Sequence, residues 1–224
     1  MSQKQFSFNL KTYHDRQFDN LAWKKILRDY FNIKKVSSAQ KTYNIAMAGL
    51  MLAFFLLARF ITKNLDFLNG ASWQLQMAVL VIGLMVLPNF YYKLFYLLIA
   101  PFAMLIFGFG AEPIIGYVFP HYSFALFLFV DLILLRLNYI HKKNNTTAFA
   151  MMLFWIFSIV SYFGVWFFYS LQGVLFYGVN WKGSYIYNSV VVFGSLAINI
   201  WITLFMIRPI NIIKKFMVKQ HLKY

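Results

Sequence analysis

The chain has 224 residues, of which 61% are hydrophobic and 12% charged, with a formal net charge of +15. A typical soluble domain carries about 25% charged residues, so an ordinary soluble fold is excluded: it could not hide this much apolar surface from water. The positive charge lies mostly in the two ends and one loop. That is the pattern membrane topology imposes, and no nucleic-acid partner is expected. There is no cysteine, which rules out disulfides, thiolate metal sites and cysteine nucleophiles. Lys outnumbers Arg by 16 to 5, and Phe, Ile, Asn and Tyr are plentiful. This is the bias of an AT-rich bacterial genome and points to a bacterial cell membrane.

Residues 1–41 read as a cytoplasmic basic amphipathic segment. The opening MSQKQFSFNLKTYHDRQ has no apolar core of signal-peptide length, so insertion is expected to use the first long apolar helix. In RQFDNLAWKKILRDYFNIKK, residues Phe18, Leu21, Ala22, Ile26, Tyr30 and Ile33 fall near one helical face, with Lys24, Lys25, Arg28 and Asp29 mostly elsewhere. Such a helix either lies along the membrane interface as an anchor or docks a partner.

Residues 42–208 read as an all-α transmembrane domain of six helices, each needing about 20 mostly apolar residues. The expected spans are roughly Tyr43–Ile61, Trp73–Leu87, Tyr92–Gly108, Tyr117–Asn138, Thr147–Tyr169 and Gly183–Ile207. The second is short, stopping at Pro88-Asn89, and forms a helical hairpin with the third. Residues 209–224 are a basic cytoplasmic tail, with the same choice between anchor and docking helix. With both termini inside, 18 of the 21 Lys and Arg residues lie in cytoplasmic segments and only Arg59, Lys63 and Lys182 outside. That agrees with the positive-inside rule.

The chain has no phosphate-binding glycine loop, no HExxH, no paired carboxylates at catalytic spacing and only six acidic residues. No enzymatic activity, metal or cofactor is expected, and ATP hydrolysis would have to come from a partner. Asp131 sits within an apolar run. It reads as a proton-coupling carboxylate, or as a packing hydrogen bond or partner of Arg136 near the inner surface.

The outer half concentrates the polar and aromatic groups. On the fifth helix Tyr162, Trp166, Tyr169 and Gly173 share one face, and on the sixth Tyr185, Asn188, Ser195 and Asn199 do so. The loop between them, QGVLFYGVNWKGSYIYN, adds Gln172, Tyr177, Trp181 and Tyr187. The start of the second helix adds Trp73, Gln74 and Gln76, and the third loop adds Glu112, His121 and Tyr122. Interfacial aromatics usually form a belt in the headgroups. Asn188 and Asn199 would be costly against lipid, however, and aromatics with a few amides suit a planar, polar heterocycle. On the first helix Ala46, Gly49 and Ala53 put small residues three and four apart on one face, for close helix approach within the chain or to another subunit.

In these features the chain resembles the S components of energy-coupling factor transporters, small bacterial six-helix proteins that capture a vitamin at the outer face. The nearest pattern is the thiamine-specific branch. The stretch SYFGVWFFYSLQGVLFYGVNWKGSYIYNSV matches its helix 5, loop and helix 6 through Tyr169, Gly173, Tyr177 and Trp181-Lys182-Gly183. Trp73 falls where that branch has a substrate-stacking Trp. The chain departs from the branch in having Tyr169 in place of a histidine, and Tyr122 near the position of an acidic residue, for which Glu112 is the substitute.

The resemblance implies a vitamin-like ligand, with Trp73, Glu112, His121, Tyr122, Tyr162, Trp166, Tyr169, Gly173, Tyr177, Trp181, Tyr185 and Asn188 as binding residues. It also implies docking through Ala46, Gly49 and Ala53 to an energy-coupling transmembrane subunit that works with an ATPase pair. An autonomous secondary transporter using Asp131 and a non-transport membrane scaffold are the alternatives.

Overall fold

A computed structural model describes residues 27–28, 30–31, 38–63, 66–67, 71–72, 74–87, 90–106, 114–130, 132–133 and 146–221. Asp131, Arg136, Lys142 and Lys143, like most of the N-terminal amphipathic stretch, lie outside the described residues.

Helix α1 (Ser38–Lys63) is followed by two two-residue strands, β1 (Asp66–Phe67) and β2 (Ala71–Ser72), which pair antiparallel with Asp66 opposite Ser72. Then come α2 (Leu75–Val86), α3 (Phe90–Ile106), two single turns α4 (Ile114–Tyr117) and α5 (Phe119–Tyr122), and a 3₁₀ segment (Ser123–Phe129). The long helices α6 (Thr146–Tyr177) and α7 (Trp181–His221) complete the order. The all-α expectation therefore holds apart from the small β-ladder.

Three helices are long and apolar enough to cross a membrane, over Lys41–Lys63, Met152–Tyr177 and Trp181–Met206. Three more are apolar but shorter: Leu75–Val86, Phe90–Ile106 and the Phe119–Phe129 stretch. At about 1.5 Å per residue, the 12 residues of α2 reach about 18 Å, less than the ~30 Å hydrocarbon core. The expected fourth helix, Tyr117–Asn138, is broken. Pro120 at the start of α5 lacks a donor for the preceding turn, and the chain tightens into seven residues of 3₁₀ geometry, longer than the usual three or four.

The helix α2 lies at the centre. Nine of its 12 residues are buried, and it packs against α1, α3, α7 and the 3₁₀ segment. A helix apolar all round needs such a position. Phe55, Leu87, Tyr96, Met104, Phe124, Phe127 and Phe154 join it in the core. The Tyr96 hydroxyl donates to the carbonyls of Val79 (3.3 Å) and Met51 (3.4 Å), tying α3 to α1 and α2. The opposite surfaces stay apolar: Leu50, Phe54 and Leu57 on α1, Phe95 and Phe102 on α3, Ile159 and Phe163 on α6, and Trp201 and Phe205 on α7 are all exposed. Contiguous apolar surface of this extent is the outside of a bundle whose solvent is lipid.

The α6–α7 connection is much tighter than the loop over 170–182 read from the sequence. Only Gly178, Val179 and Asn180 separate the helices. Gly178 has φ of 64°, a left-handed conformation that costs glycine little. Val179 N–H donates back to Gly173 O (3.1 Å), and Asn180 Oδ1 accepts from Gly183 N–H (2.7 Å). The latter is the N-cap bond that starts α7. At the far end of the bundle Tyr30 is buried, donates its hydroxyl to Leu128 O, and sits with Phe31 beside Phe90, which in turn packs on Phe129. This part of the amphipathic segment is docked on its own bundle.

Candidate functional site

At the end of the bundle marked by the α6–α7 turn, the helices surround an open cavity of about 640 Å³. That is within the ~300–1,000 Å³ typical of small-molecule sites. It lies among the C-terminal end of α1 (Arg59), the start of α2 (Gln74, Gln76), the end of α3 (Met104), α4 and α5 (Gly116, Tyr117, His121), the last turns of α6 and the first turns of α7. Helices running alternately up and down bring these ends to one place.

The floor is a polar network. Asn199 donates from Nδ2 to both Tyr162 Oη and Gln74 O (2.9 Å to the latter), and Gln74 N–H donates to Ser195 Oγ (3.2 Å). Ser195 Oγ donates in turn to Val191 O (2.8 Å). All of these groups are buried, where leaving polar atoms unpaired is costly. The network fixes the backbone of Gln74, and through it the two glutamines that open α2.

One wall depends on close approach between α4 and α6. The Gln172 carboxamide lies directly on the Cα of Gly116, where any Cβ would overlap it, and its Nε2 is 3.5 Å from Tyr177 Oη. On the α7 side Ser184 Oγ donates to Ser170 O (2.8 Å), and Asn188 Nδ2 donates to Ser184 O (2.9 Å).

Of the residues expected at the site, His121, Tyr169, Gly173, Tyr177 and Asn188 line the cavity. Trp73 and Glu112 lie outside the described residues. Tyr162 is one layer below, held by Asn199. Tyr122 packs beside Phe119. Trp166 faces Tyr185 at 4.8 Å, its Nε1 donating to Ser189 Oγ (2.9 Å) and Tyr185 O (3.2 Å), and Trp181 covers Tyr185 at 5.4 Å. None of these three rings is in the lining. They clamp α6 to α7 beside the cavity.

The lining also contains Arg59, Gln74, Gln76, Gly116, Tyr117, Gln172, Gly183, Ser184 and Tyr187. Gln74, Gln76, Gln172 and Tyr187 belong to the outer polar set visible in the sequence. Arg59 registers there only as a topological charge. Its signal was a cation one turn before Lys63 at the end of an apolar helix.

On α1, Ala46, Gly49 and Ala53 are all exposed, and a Cβ built on Gly49 meets nothing within 4 Å. This face is not used for packing within the described chain.

No protein-family model matches the chain, and neither does any characterised sequence or solved structure.

Proposed function

We propose that the chain is the membrane-embedded, substrate-binding subunit of an energy-coupling factor importer, capturing a vitamin-like small molecule at the outer face of a bacterial cell membrane. The observation that carries this reading is the ~640 Å³ cavity, lined by amides, phenols and an arginine, inside a bundle whose outer surface is apolar. A scaffold has no use for such a space, and an aqueous cavity at one end of a lipid-facing bundle suits capture of a solute.

The proposed topology has six spans with both termini cytoplasmic. The central α2 is short because it begins beneath the cavity, with Gln74 and Gln76 at its floor, so the solute space occupies the remaining depth. The stretch from α4 through the 3₁₀ segment then acts as the fourth crossing. Energy comes from partner subunits, because the chain carries no nucleotide-binding motif. The open small-residue face of α1 is the docking surface in this reading: with no Cβ at Gly49, a partner helix can approach closely.

The test is purification from the native host with and without Gly49→Leu. The wild-type chain co-purifies with a transmembrane partner and an ATPase pair. The variant folds, since the position is open, but loses them. Recovery of the wild-type chain without any ATPase contradicts the proposal.

A further inference from the structure

Helix α2 starts inside the bundle. Gln74 is its N-cap and Gln76 lies in its first turn, and both line the cavity. Any helix start leaves backbone N–H groups without partners in the helix. Here Gln74 N–H is taken by Ser195 Oγ (3.2 Å) and Met77 N–H by Gln74 O (3.0 Å). The cap residue makes no side-chain bond to the helix. The N–H groups of Leu75 and Gln76 are left without a partner among the described residues.

The glutamine side chains are an independent sign of a ligand. Gln74 is 7% exposed and Gln76 2%, and neither carboxamide makes a hydrogen bond. Their Oε1 atoms are sealed by surrounding protein and do not reach the cavity. Their Nε2 atoms are neither bonded nor sealed, and both residues line the cavity. The atoms turned to the space are therefore amide N–H groups. Side chains this buried are nearly always paired, so unpaired donors at the edge of a cavity mark where a ligand supplies acceptors.

The free groups in this corner are all donors: two backbone N–H groups and two carboxamide NH₂ groups. They sit at the positive end of the α2 dipole, the arrangement that binds anionic groups where helices start within a membrane protein. Arg59 lines the same cavity but has contacts of its own, so the neutral donors define the corner. No carboxylate is among the described lining residues to compete for them. A single negative charge suits neutral donors better than a doubly charged phosphate, whose removal from water costs more.

Resting on the reading of this cavity as the solute site, we propose that the start of α2 is an anion subsite and that the ligand enters carboxylate first. The carboxylate oxygens accept from Leu75 and Gln76 N–H and from Nε2 of Gln74 and Gln76. The body of the ligand lies toward Tyr169 and Tyr177, nearer the mouth.

The test uses the full chain in lipid nanodiscs, with nicotinate and nicotinamide as probes. They share one ring, and only nicotinate is a carboxylate. Calorimetric titration should show nicotinate bound at least about tenfold more tightly, because charge-assisted hydrogen bonds are roughly twice as strong as neutral ones. This comparison is made on the unaltered protein and depends on no variant. Leu75→Pro then removes one donor: proline has no N–H, and its fixed φ suits the first position of a helix. Measured against Leu75→Ala, which trims the side chain and keeps the N–H, it should bind nicotinate about tenfold more weakly. Equal or tighter binding of nicotinamide, or equal binding of nicotinate by the two variants, overturns the carboxylate subsite while the cavity stands as a solute site. If neither probe binds, the molecule retained by the chain extracted from its host decides: one that bears a carboxylate supports the proposal, and one that bears none overturns it. The absence of any retained molecule overturns the reading of the cavity itself, and the subsite with it.

Discussion

Gly116→Ala tests the cavity wall most sharply. A methyl group at this position falls on the Gln172 carboxamide, which is 3% exposed and cannot move into the core. The open direction is the cavity, which both residues line. Overpacking a filled core costs about 1–3 kcal/mol. Here the obstructing group is the flexible end of a long side chain with space beside it, so the fold should lose only about 1 kcal/mol, near the cost of an off-rotamer torsion. Ligand capture bears the larger cost, because the displaced amide enters the binding volume: affinity should fall tenfold or more, at least about 1.4 kcal/mol. Reversible unfolding in mixed micelles measures the first quantity and ligand titration the second. In a Gln172→Ala background the obstruction is gone, so adding Gly116→Ala should cost almost nothing in stability. The reasoning fails if the two substitutions are additive within about 0.5 kcal/mol, the behaviour of sites that do not touch.

Trp166→Ala should loosen the α6–α7 hairpin, because the indole sits on Tyr185 and donates to Ser189; the ring is only partly buried, so unfolding in micelles should show a loss below the ~3–5 kcal/mol of a Trp truncated in a core, with ligand affinity changed less than by Gly116→Ala. Asn199→Leu leaves Tyr162 Oη and Gln74 O without their donor; at about 1–3 kcal/mol for each buried orphan, it should destabilise the fold and weaken binding together, and unchanged stability would count against the floor network. Tyr30→Phe removes the hydroxyl bond to Leu128 O while keeping the ring, and should cost about 0.5–1.5 kcal/mol without altering ligand affinity.

Hydrophobic runs made the helices legible, and the ends were less so. The α6–α7 connection looked like a long loop because Gly173, Gly178 and Gly183 punctuate it together with several aromatics. Only Gly178 has a backbone that helices avoid. Gly173 and Gly183 are helical, and Gly173 lies where α7 brings Ser184 close. The fourth helix looked continuous because Ser123–Phe129 is apolar after its first residue. Hydropathy does not distinguish α from 3₁₀ geometry, and Pro120 was the one mark of the break.

At the site, helical periodicity placed Tyr169, Gly173 and Asn188 on the faces that line the cavity. It could not show that Trp166, Tyr185 and Trp181 satisfy one another, because that depends on the rotation of α6 against α7. Arg59 was obscured for a different reason. A cation at the end of an apolar helix fits topology alone, and only the fold sets it opposite Gln74, Gln76 and His121.

Native mass spectrometry of the chain extracted in mild detergent from its host shows directly whether the cavity is a site for a solute. A companion Asn188→Trp variant places a bulky ring in the space that Asn188 lines. Asn188 makes only local bonds to Ser184 on its own helix, so the fold loses little. The wild-type chain should carry one small molecule in a 1:1 complex, and Asn188→Trp should be extracted folded and empty. A folded wild-type chain with no bound molecule, or a variant that retains the same molecule at the same occupancy, would contradict a solute site there.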